Sequence, residues 1–216
     1  MHAKHGVSYD TDYQLNPVAT PAEIQNLGSG LASGWVEWIF PYRAKSLLKP
    51  YTHFRFYIPK NGPPHPSLTD VWIAPESTNE VFTTESLGFI ADIWPRMVEN
   101  FCPESEWSTN SLVSRVLRGE QNSSIDTDFG LGRHPQAFWY PTLSLTLEIK
   151  KLLPPQGVKR LFVRAQAKEI KNGRMDVEVM ILDQASELVA LSHHVCLLIK
   201  NAGGPLEGTK HTDVKL

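Results

Sequence analysis

Cysteine is scarce in this chain of 216 residues, which contains only Cys102 and Cys196. Two cysteines are too few for a disulfide framework, and neither has His or Cys neighbours at the spacing of a zinc site. No metal or other cofactor is therefore predicted. Because disulfides are typical of oxidising compartments, their lack favours a reducing one, and we expect a cytoplasmic protein.

The sequence also lacks a charge excess and a long apolar run. Lys and Arg number 21 against 23 Asp and Glu, so no strong field attracts nucleic acid. The longest uncharged apolar stretch, 195–199, is far short of a membrane span, and residues 1–31 contain no secretory run. We expect no nucleic acid and no membrane as partners. The C-terminal tripeptide 214–216 departs from the usual peroxisomal signal, which leaves the peroxisome a weak alternative to the cytoplasm.

What is present is typical of one globular domain with a real core: 41% of the residues are hydrophobic and 20% are charged. Residues 1–34 are polar and mixed, which predicts an irregular N-terminal arm or linker. Residues 35–200 are predicted to form the domain, with an insertion loop at about 102–136, where no hydrophobic period is sustained. Residues 201–216 are predicted to be a tail.

One amphipathic segment predicts a helix over Thr84–Phe101, because its apolar residues recur at the i, i+3, i+4, i+7 spacing. Thr84 is a suitable cap for its N-terminus. Pro95 lies inside the pattern and cannot donate a hydrogen bond to the carbonyl of Ala91. We therefore expect a kink or break near Asp92.

After residue 136 the hydrophobic period changes to two, which predicts strands. The first strand places Thr142 on its polar face, opposite an apolar face formed by Leu143, Leu145, Leu147 and Ile149. Asn172-Gly173, between predicted strands at 159–170 and 174–183, is a strong signal for a type I′ hairpin. A fourth strand is predicted over 188–200. Together these segments predict an α+β fold in which a four-stranded antiparallel meander packs on the helix.

Six phrases in a fixed order carry a family resemblance: Leu87–Asp92, Phe138–Leu143, Lys150–Pro154, Leu161–Arg164, Lys171–Asp176 and Leu188–Ser192. They resemble the C-terminal hotdog of the thioesterase-like superfamily, especially its fungal members, and more distantly the double-hotdog acyl-CoA thioesterases. The resemblance covers roughly Asp70–Ile199. It implies a hotdog fold, in which an antiparallel sheet wraps around a central helix.

The resemblance also implies a site. In the double-hotdog thioesterases, an aspartate at the central helix, a hydroxyl that opens the next strand and a glutamine on the last strand hold and activate the hydrolytic water. The matching positions here are Asp92, Thr142 and His194, so a histidine stands where the family has glutamine. Its imidazole can hold or deprotonate water. The flanking residues predicted to bind substrate are Trp94, Trp139 and Tyr140. The structural alternatives are an aspartate that merely caps a kinked helix or faces solvent, an ordinary strand threonine, a buried and satisfied histidine, and core aromatics.

The predicted function is hydrolysis of an acyl thioester, most directly an acyl-CoA. The alternative is a hotdog cavity that binds or converts a hydrophobic, polyketide-like biosynthetic intermediate by a non-hydrolytic step such as cyclisation or dehydration. Within 148–174, eight basic residues face two acidic ones, which would suit coenzyme A phosphates or simply keep sheet edges soluble. No second hotdog precedes residue 70, and a single one leaves an apolar face uncovered, so we expect a homodimer.

Overall fold

The computed structural model describes residues 20–29, 34–38, 49–94, 97–102, 108–120 and 138–200. Nine strands are found in this part of the chain: β1 (Trp35–Trp38), β2 (Phe54–Pro59), β3 (Leu68–Pro75), β4 (Phe138–Trp139), β5 (Thr142–Ile149), β6 (Leu161–Lys171), β7 (Arg174–Leu182), β8 (Leu188–Leu197) and β9 (Ile199–Lys200). Seven of them form one antiparallel sheet in the order β1-β2-β3-β6-β7-β8-β5, and β4 pairs with β9. The helices are α1 (Pro21–Asn26), α2 (Leu87–Ala91) and α3 (Thr109–Leu117).

Three consecutive strands, β6 to β8, form a meander at the predicted positions. Asn172 and Gly173 have φ values of 53° and 74°, which confirms the type I′ turn between β6 and β7. The predicted four-stranded meander is wrong in one respect, because β5 pairs with β8 at the edge of the sheet and not with β6. Residues 150–160 carry the chain past β8 and β7 before β6 begins. A period of two identifies a strand but not its neighbour, so the pattern could not reveal this crossover.

The central helix is much shorter than predicted. A 3-10 turn at Thr84–Ser86 leads into α2, which ends at Ala91, and a separate 3-10 turn follows at Val98–Phe101. The expected break near Asp92 is confirmed, whereas a helix continuing to Phe101 is wrong. Pro95, the reason for expecting the break, lies outside the described residues. None of the helices in the described ranges is long and apolar enough to cross a membrane.

The start of this helical region is anchored differently from the prediction. The residue before the turn is Thr83, whose N–H donates to the hydroxyl of Ser86 at 3.2 Å. The Thr84 hydroxyl does not cap the helix and accepts a hydrogen bond from the N–H of Leu153 at 3.0 Å. Thr84 therefore ties the crossover after β5 to the start of α2.

The insertion at 102–136 is not entirely a loop, since α3 lies within its described part. Ser108 caps α3 by accepting a hydrogen bond from the N–H of Ser111 at 3.2 Å. Leu112 and Val113 of α3 are buried in the core. The prediction of a loop is wrong there, because a helix of nine residues buries too few apolar side chains to produce a sustained period. Residues 103–107 and 121–137 of the insertion lie outside the described residues.

The sheet buries an apolar cluster on each of its faces. α2 and the turn at Val98–Phe101 supply Ile90 and Val98 to the larger cluster, which also contains Val163 of β6. Alternate residues of β6 face the other side, where Ile24 and Leu27 belong to one cluster with Phe162. Two side chains at α1 and its C-cap thus join the core from the segment predicted to be an arm.

β5 is only partly covered, although the alternation predicted a buried leucine face. Leu147 packs against the larger cluster, but Leu143 is 61%, Leu145 38% and Ile149 45% exposed. The prediction is wrong for these three side chains because α2 spans five residues and packs against β7. The apolar edge of the sheet beside α2 is therefore open to solvent.

A buried ion pair joins β3 to β6 near the middle of the sheet. Asp70 is paired directly with Arg164 across the two strands, and its side chain is fully buried. Arg164 donates from Nε to Asp70 Oδ1 at 2.7 Å and from Nη2 to Oδ2 at 2.6 Å. Burial raises the pKa of the Asp70 carboxyl, while Arg164 acts in the opposite direction. The guanidinium therefore offsets much of the cost of burying this carboxylate.

We predict that Arg164→Met destabilises the protein because it leaves the Asp70 charge buried without its partner. The free energy of unfolding in urea should fall by about 3–5 kcal/mol. The matched control is Arg174→Met, whose ion pairs with Glu169 and Asp176 are largely exposed and should contribute about 0–1 kcal/mol. Equal losses in the two variants would contradict this account of the buried pair.

Candidate active site

The end of α2 meets two strands at the open edge of the sheet. Asp92 is the C-cap residue of α2, and its side chain is 48% exposed. Thr142, the first residue of β5, donates its hydroxyl proton to Asp92 Oδ1 at 3.0 Å. His194 of β8 places Nδ1 3.6 Å from the same oxygen. The structure thus brings together the three residues matched to the thioesterase site.

Thr142 reaches Asp92 because of a β-bulge at the start of β5. Thr142 is paired with Cys196, but Ser144 is paired with Val195, so Leu143 is an extra residue on β5. The bulge turns Thr142 to the face shared by Cys196 and Leu145. Simple alternation predicted that Thr142 lies away from the leucines, and that prediction is wrong for this reason.

His194 and its neighbour occupy opposite faces of β8, as their adjacency on a strand predicted. His193 is exposed, whereas His194 is buried with its ring edge-on to Trp94 at 6.4 Å between centroids. The two nitrogens of His194 have different surroundings. Nε2 lies 2.9 Å from the hydroxyl of Ser192, and Nδ1 has no hydrogen-bond partner among the described residues. The unpartnered nitrogen is the one on the Asp92 side.

Two of the three aromatic residues predicted to bind substrate are stacked on each other next to His194, and their role remains a prediction. Trp94 and Tyr140 stack with centroids 6.5 Å apart and an interplanar angle of 19°. Trp139 pairs through its backbone with Ile199 in the β4-β9 ribbon, but its side chain lies outside the described residues. Trp94 and Tyr140 therefore form an aromatic wall beside His194.

Sequence reasoning missed one residue behind this wall. Glu99 is buried and accepts hydrogen bonds from the hydroxyl of Tyr140 and from the N–H of Phe138, the latter at 3.4 Å. Its position depends on the separate turn at Val98–Phe101, which a continuous helix would have placed differently. In the sequence, Pro95 was the one feature that indicated a departure from the helical pattern in the residues after it.

Cys196 adjoins the site but is not a nucleophile of it. Its Sγ lies 3.8 Å from the hydroxyl of Thr142. Burial raises the pKa of the Cys196 thiol, as do the neighbouring carboxylates of Asp92 and Asp176, while the contact with Thr142 opposes them. A raised pKa leaves little thiolate near neutral pH, so Cys196 behaves as a small core residue.

Most of the basic residues of 148–174 have partners in the structure. Acidic side chains on this and other segments pair with Lys150, Lys151, Arg164, Lys168 and Arg174. Lys159 donates to the carbonyl oxygens of Thr78 and Glu80 at 2.5 and 3.1 Å. These pairs favour the interpretation that the charges keep the sheet soluble. Within the described ranges, no group of three or more His, Cys, Asp or Glu side chains could hold a metal ion.

The two cysteines are predicted to differ in reactivity. Cys102 is exposed, whereas Cys196 is buried with a raised pKa. A disulfide reagent at pH 8 should therefore label one thiol rapidly and the second only on unfolding. Cys102→Ser should abolish the rapid phase, and Cys196→Ser should leave it intact. Rapid labelling that survives Cys102→Ser would contradict the burial of Cys196.

This chain is similar in sequence to a known protein and in structure to several solved ones. The thioesterase-like protein TwmA from Talaromyces wortmannii is 28% identical over 198 residues, which are 90% of this chain and 56% of that protein. The chain thus spans little more than half the length of this relative. Among solved structures, a protein of unknown function with a hot dog fold from Alicyclobacillus acidocaldarius has a TM-score of 0.49 at 11% identity, covering 90% of this chain and 58% of that chain. A hypothetical thioesterase from Streptococcus pneumoniae, solved with coenzyme A, has a TM-score of 0.39 at 9% identity and covers 71% of this chain and 91% of that one.

The family model of the acyl-CoA thioesterase C-terminal domain matches residues 23–198. This match extends further toward the N-terminus than the resemblance at Asp70–Ile199 and includes most of α1, the whole large sheet and the three site residues. The α+β hotdog architecture expected from the sequence is confirmed. The chain belongs to the acyl-CoA thioesterase C-terminal domain family, within the thioesterase-like hotdog superfamily.

Proposed function

We propose that this domain hydrolyses an acyl thioester such as an acyl-CoA. The observation that carries the proposal is the convergence of Thr142 and His194 on one carboxylate oxygen of Asp92, at 3.0 and 3.6 Å. Thr142 and Asp92 are 50 residues apart in the chain, so only the fold brings them together. Membership of a thioesterase family supports the same reaction.

In the proposed reaction, a water oxygen attacks the thioester carbonyl carbon, and the carbon–sulfur bond breaks to release a carboxylic acid and a thiol. Asp92 accepts a proton from the attacking water and passes it to the departing thiolate, and the hydrogen bond from Thr142 holds the accepting oxygen in place. His194 offers Nδ1 to the second proton of the same water.

The acyl group is proposed to lie along the aromatic wall of Trp94 and Tyr140, with Trp139 as a further contact carried over from the family resemblance. Apolar and aromatic side chains that surround a few polar groups are typical of small-molecule sites. Asp92 is half-exposed, so a ligand can reach it from the open edge of the sheet. This arrangement suits a hydrophobic acyl chain attached to a thiol carrier that remains outside.

We predict that Asp92→Asn abolishes thiol release from a panel of short, medium and long acyl-CoA esters. The amide cannot accept the proton, and loss of general-base catalysis should lower the rate at least about 100-fold. The melting temperature should hardly change because the side chain is half-exposed. Asp176→Asn, on the other face of the sheet, is the matched control and should retain full activity.

Two outcomes would contradict the proposal at different points. Thiol release that is unaffected by Asp92→Asn would remove Asp92 from the mechanism. No release from any ester by the native protein would refute hydrolysis of acyl-CoA esters themselves.

We also propose that the domain forms a homodimer through its β5 edge. Within the described residues β5 pairs with a neighbouring strand, β8, on one side only. Three apolar side chains of β5 are exposed: Leu143, Leu145 and Ile149. An edge strand with exposed apolar side chains is a surface that proteins normally cover. A second copy would cover the leucines and enclose the open side of the site.

The expected mass by light scattering at micromolar concentration is that of two chains of 24.3 kDa. Leu143→Glu should shift the protein toward the monomer, because it places a charge in the proposed interface. Leu117→Glu is the control, since Leu117 is also exposed but lies on α3. A monomeric native protein, or equal dissociation by both variants, would overturn the proposed interface.

A further inference from the structure

Ser192 lies beneath His194, on the side of the imidazole away from Asp92. The two residues are two apart on β8, so they share one face of the strand. Both are buried, and Ser192 Oγ lies 2.9 Å from His194 Nε2. The resemblance to the thioesterases assigned no role to Ser192.

The direction of the hydrogen bond between Ser192 and His194 depends on where the hydroxyl proton of Ser192 points. A serine hydroxyl carries one proton and can accept through its lone pairs. Ser192 donates that proton to the carbonyl oxygen of Thr146 on β5 at 2.8 Å. Its oxygen therefore meets Nε2 as an acceptor, and Nε2 must carry the imidazole proton.

The other ring nitrogen of His194, Nδ1, therefore carries a lone pair. A neutral imidazole has one N–H and one acceptor nitrogen, so Nδ1 faces the site as an acceptor. Nδ1 is buried without a partner in the described residues and lies 3.6 Å from Asp92 Oδ1. Two acceptors thus face each other, and Nδ1 remains without a donor among the described residues.

We propose that Ser192 is a positioning residue that holds neutral His194 in the tautomer protonated at Nε2. Its effect on catalysis rests on the proposed hydrolysis, whereas the tautomer itself does not. In this tautomer one proton of the hydrolytic water is donated to Asp92 and the other to His194 Nδ1. In the opposite tautomer Nδ1–H would donate directly to Asp92, and Nδ1 could no longer accept a hydrogen bond from the water.

The primary test is nitrogen-15 NMR of the histidine side chains in the native protein, at a pH where His194 is neutral. Long-range proton–nitrogen correlations distinguish a ring protonated at Nε2 from one protonated at Nδ1. The chain has eight histidines, so His194→Gln identifies the signal by its loss. His193, exposed on the opposite face, is the internal reference. We expect a predominantly Nε2-protonated His194.

Ser192→Ala then tests the role of the serine. Without the acceptor at Nε2, the His194 signals should shift toward the Nδ1-protonated form while those of His193 stay unchanged. The kcat for thioester hydrolysis should fall about tenfold or more, with a small change in KM, because general-base catalysis contributes about 10²–10⁴-fold. Ser192→Thr retains the hydroxyl and should restore both the tautomer and most of the kcat.

Each outcome decides a separate point. A native His194 protonated at Nδ1 would overturn the inference, and an unchanged tautomer in Ser192→Ala would remove Ser192 from the positioning role. An Nε2-protonated His194 that changes on Ser192→Ala supports the inference even if the protein hydrolyses no ester. In that result the proposed function fails and the assigned tautomer stands.

Discussion

The hydrogen bond from Thr142 to Asp92 links the end of a helix to the edge of a sheet, and the site depends on this contact. It requires α2 to end at Ala91, so that Asp92 leaves the helical path and becomes its cap. It also requires the bulge at Leu143, which turns Thr142 toward the helix. A longer helix or a regular β5 would each separate the two side chains, although neither change would alter the sheet order.

The site residues differ in burial, and their proposed roles differ accordingly. His194 is enclosed and its tautomer is set from below by Ser192, while Asp92 is half-exposed and accessible from solvent. A buried imidazole supplies a fixed direction for a proton, because its neighbours do not move with the solvent. A half-exposed carboxylate is accessible to a ligand that arrives from the open edge.

Sequence patterns predicted those parts of the fold that depend on neighbours in the chain. The local sequence predicted three of these features: the alternation of β6, β7 and β8, the type I′ turn at Asn172-Gly173 and the break after α2. The site residues were reachable only because their phrases resemble those of a family, since an isolated threonine, aspartate and histidine carry no spacing signal. Glu99 had no such phrase, and its place behind Tyr140 follows from a turn that the helical pattern concealed.

The sequence by itself determined that the segments of β5 to β8 become strands, where the helix breaks and that His193 and His194 lie on opposite faces of β8, because φ/ψ preferences and side-chain alternation act within a few residues. Only the tertiary structure decided that β5 pairs with β8, that Leu143 is extra and that Thr142 therefore faces Asp92. It alone also paired Lys151 with Asp183 and Arg164 with Asp70, acids that lie outside 148–174. These outcomes depend on contacts between residues far apart in the chain. A local sequence pattern carries no information about the energies of such contacts.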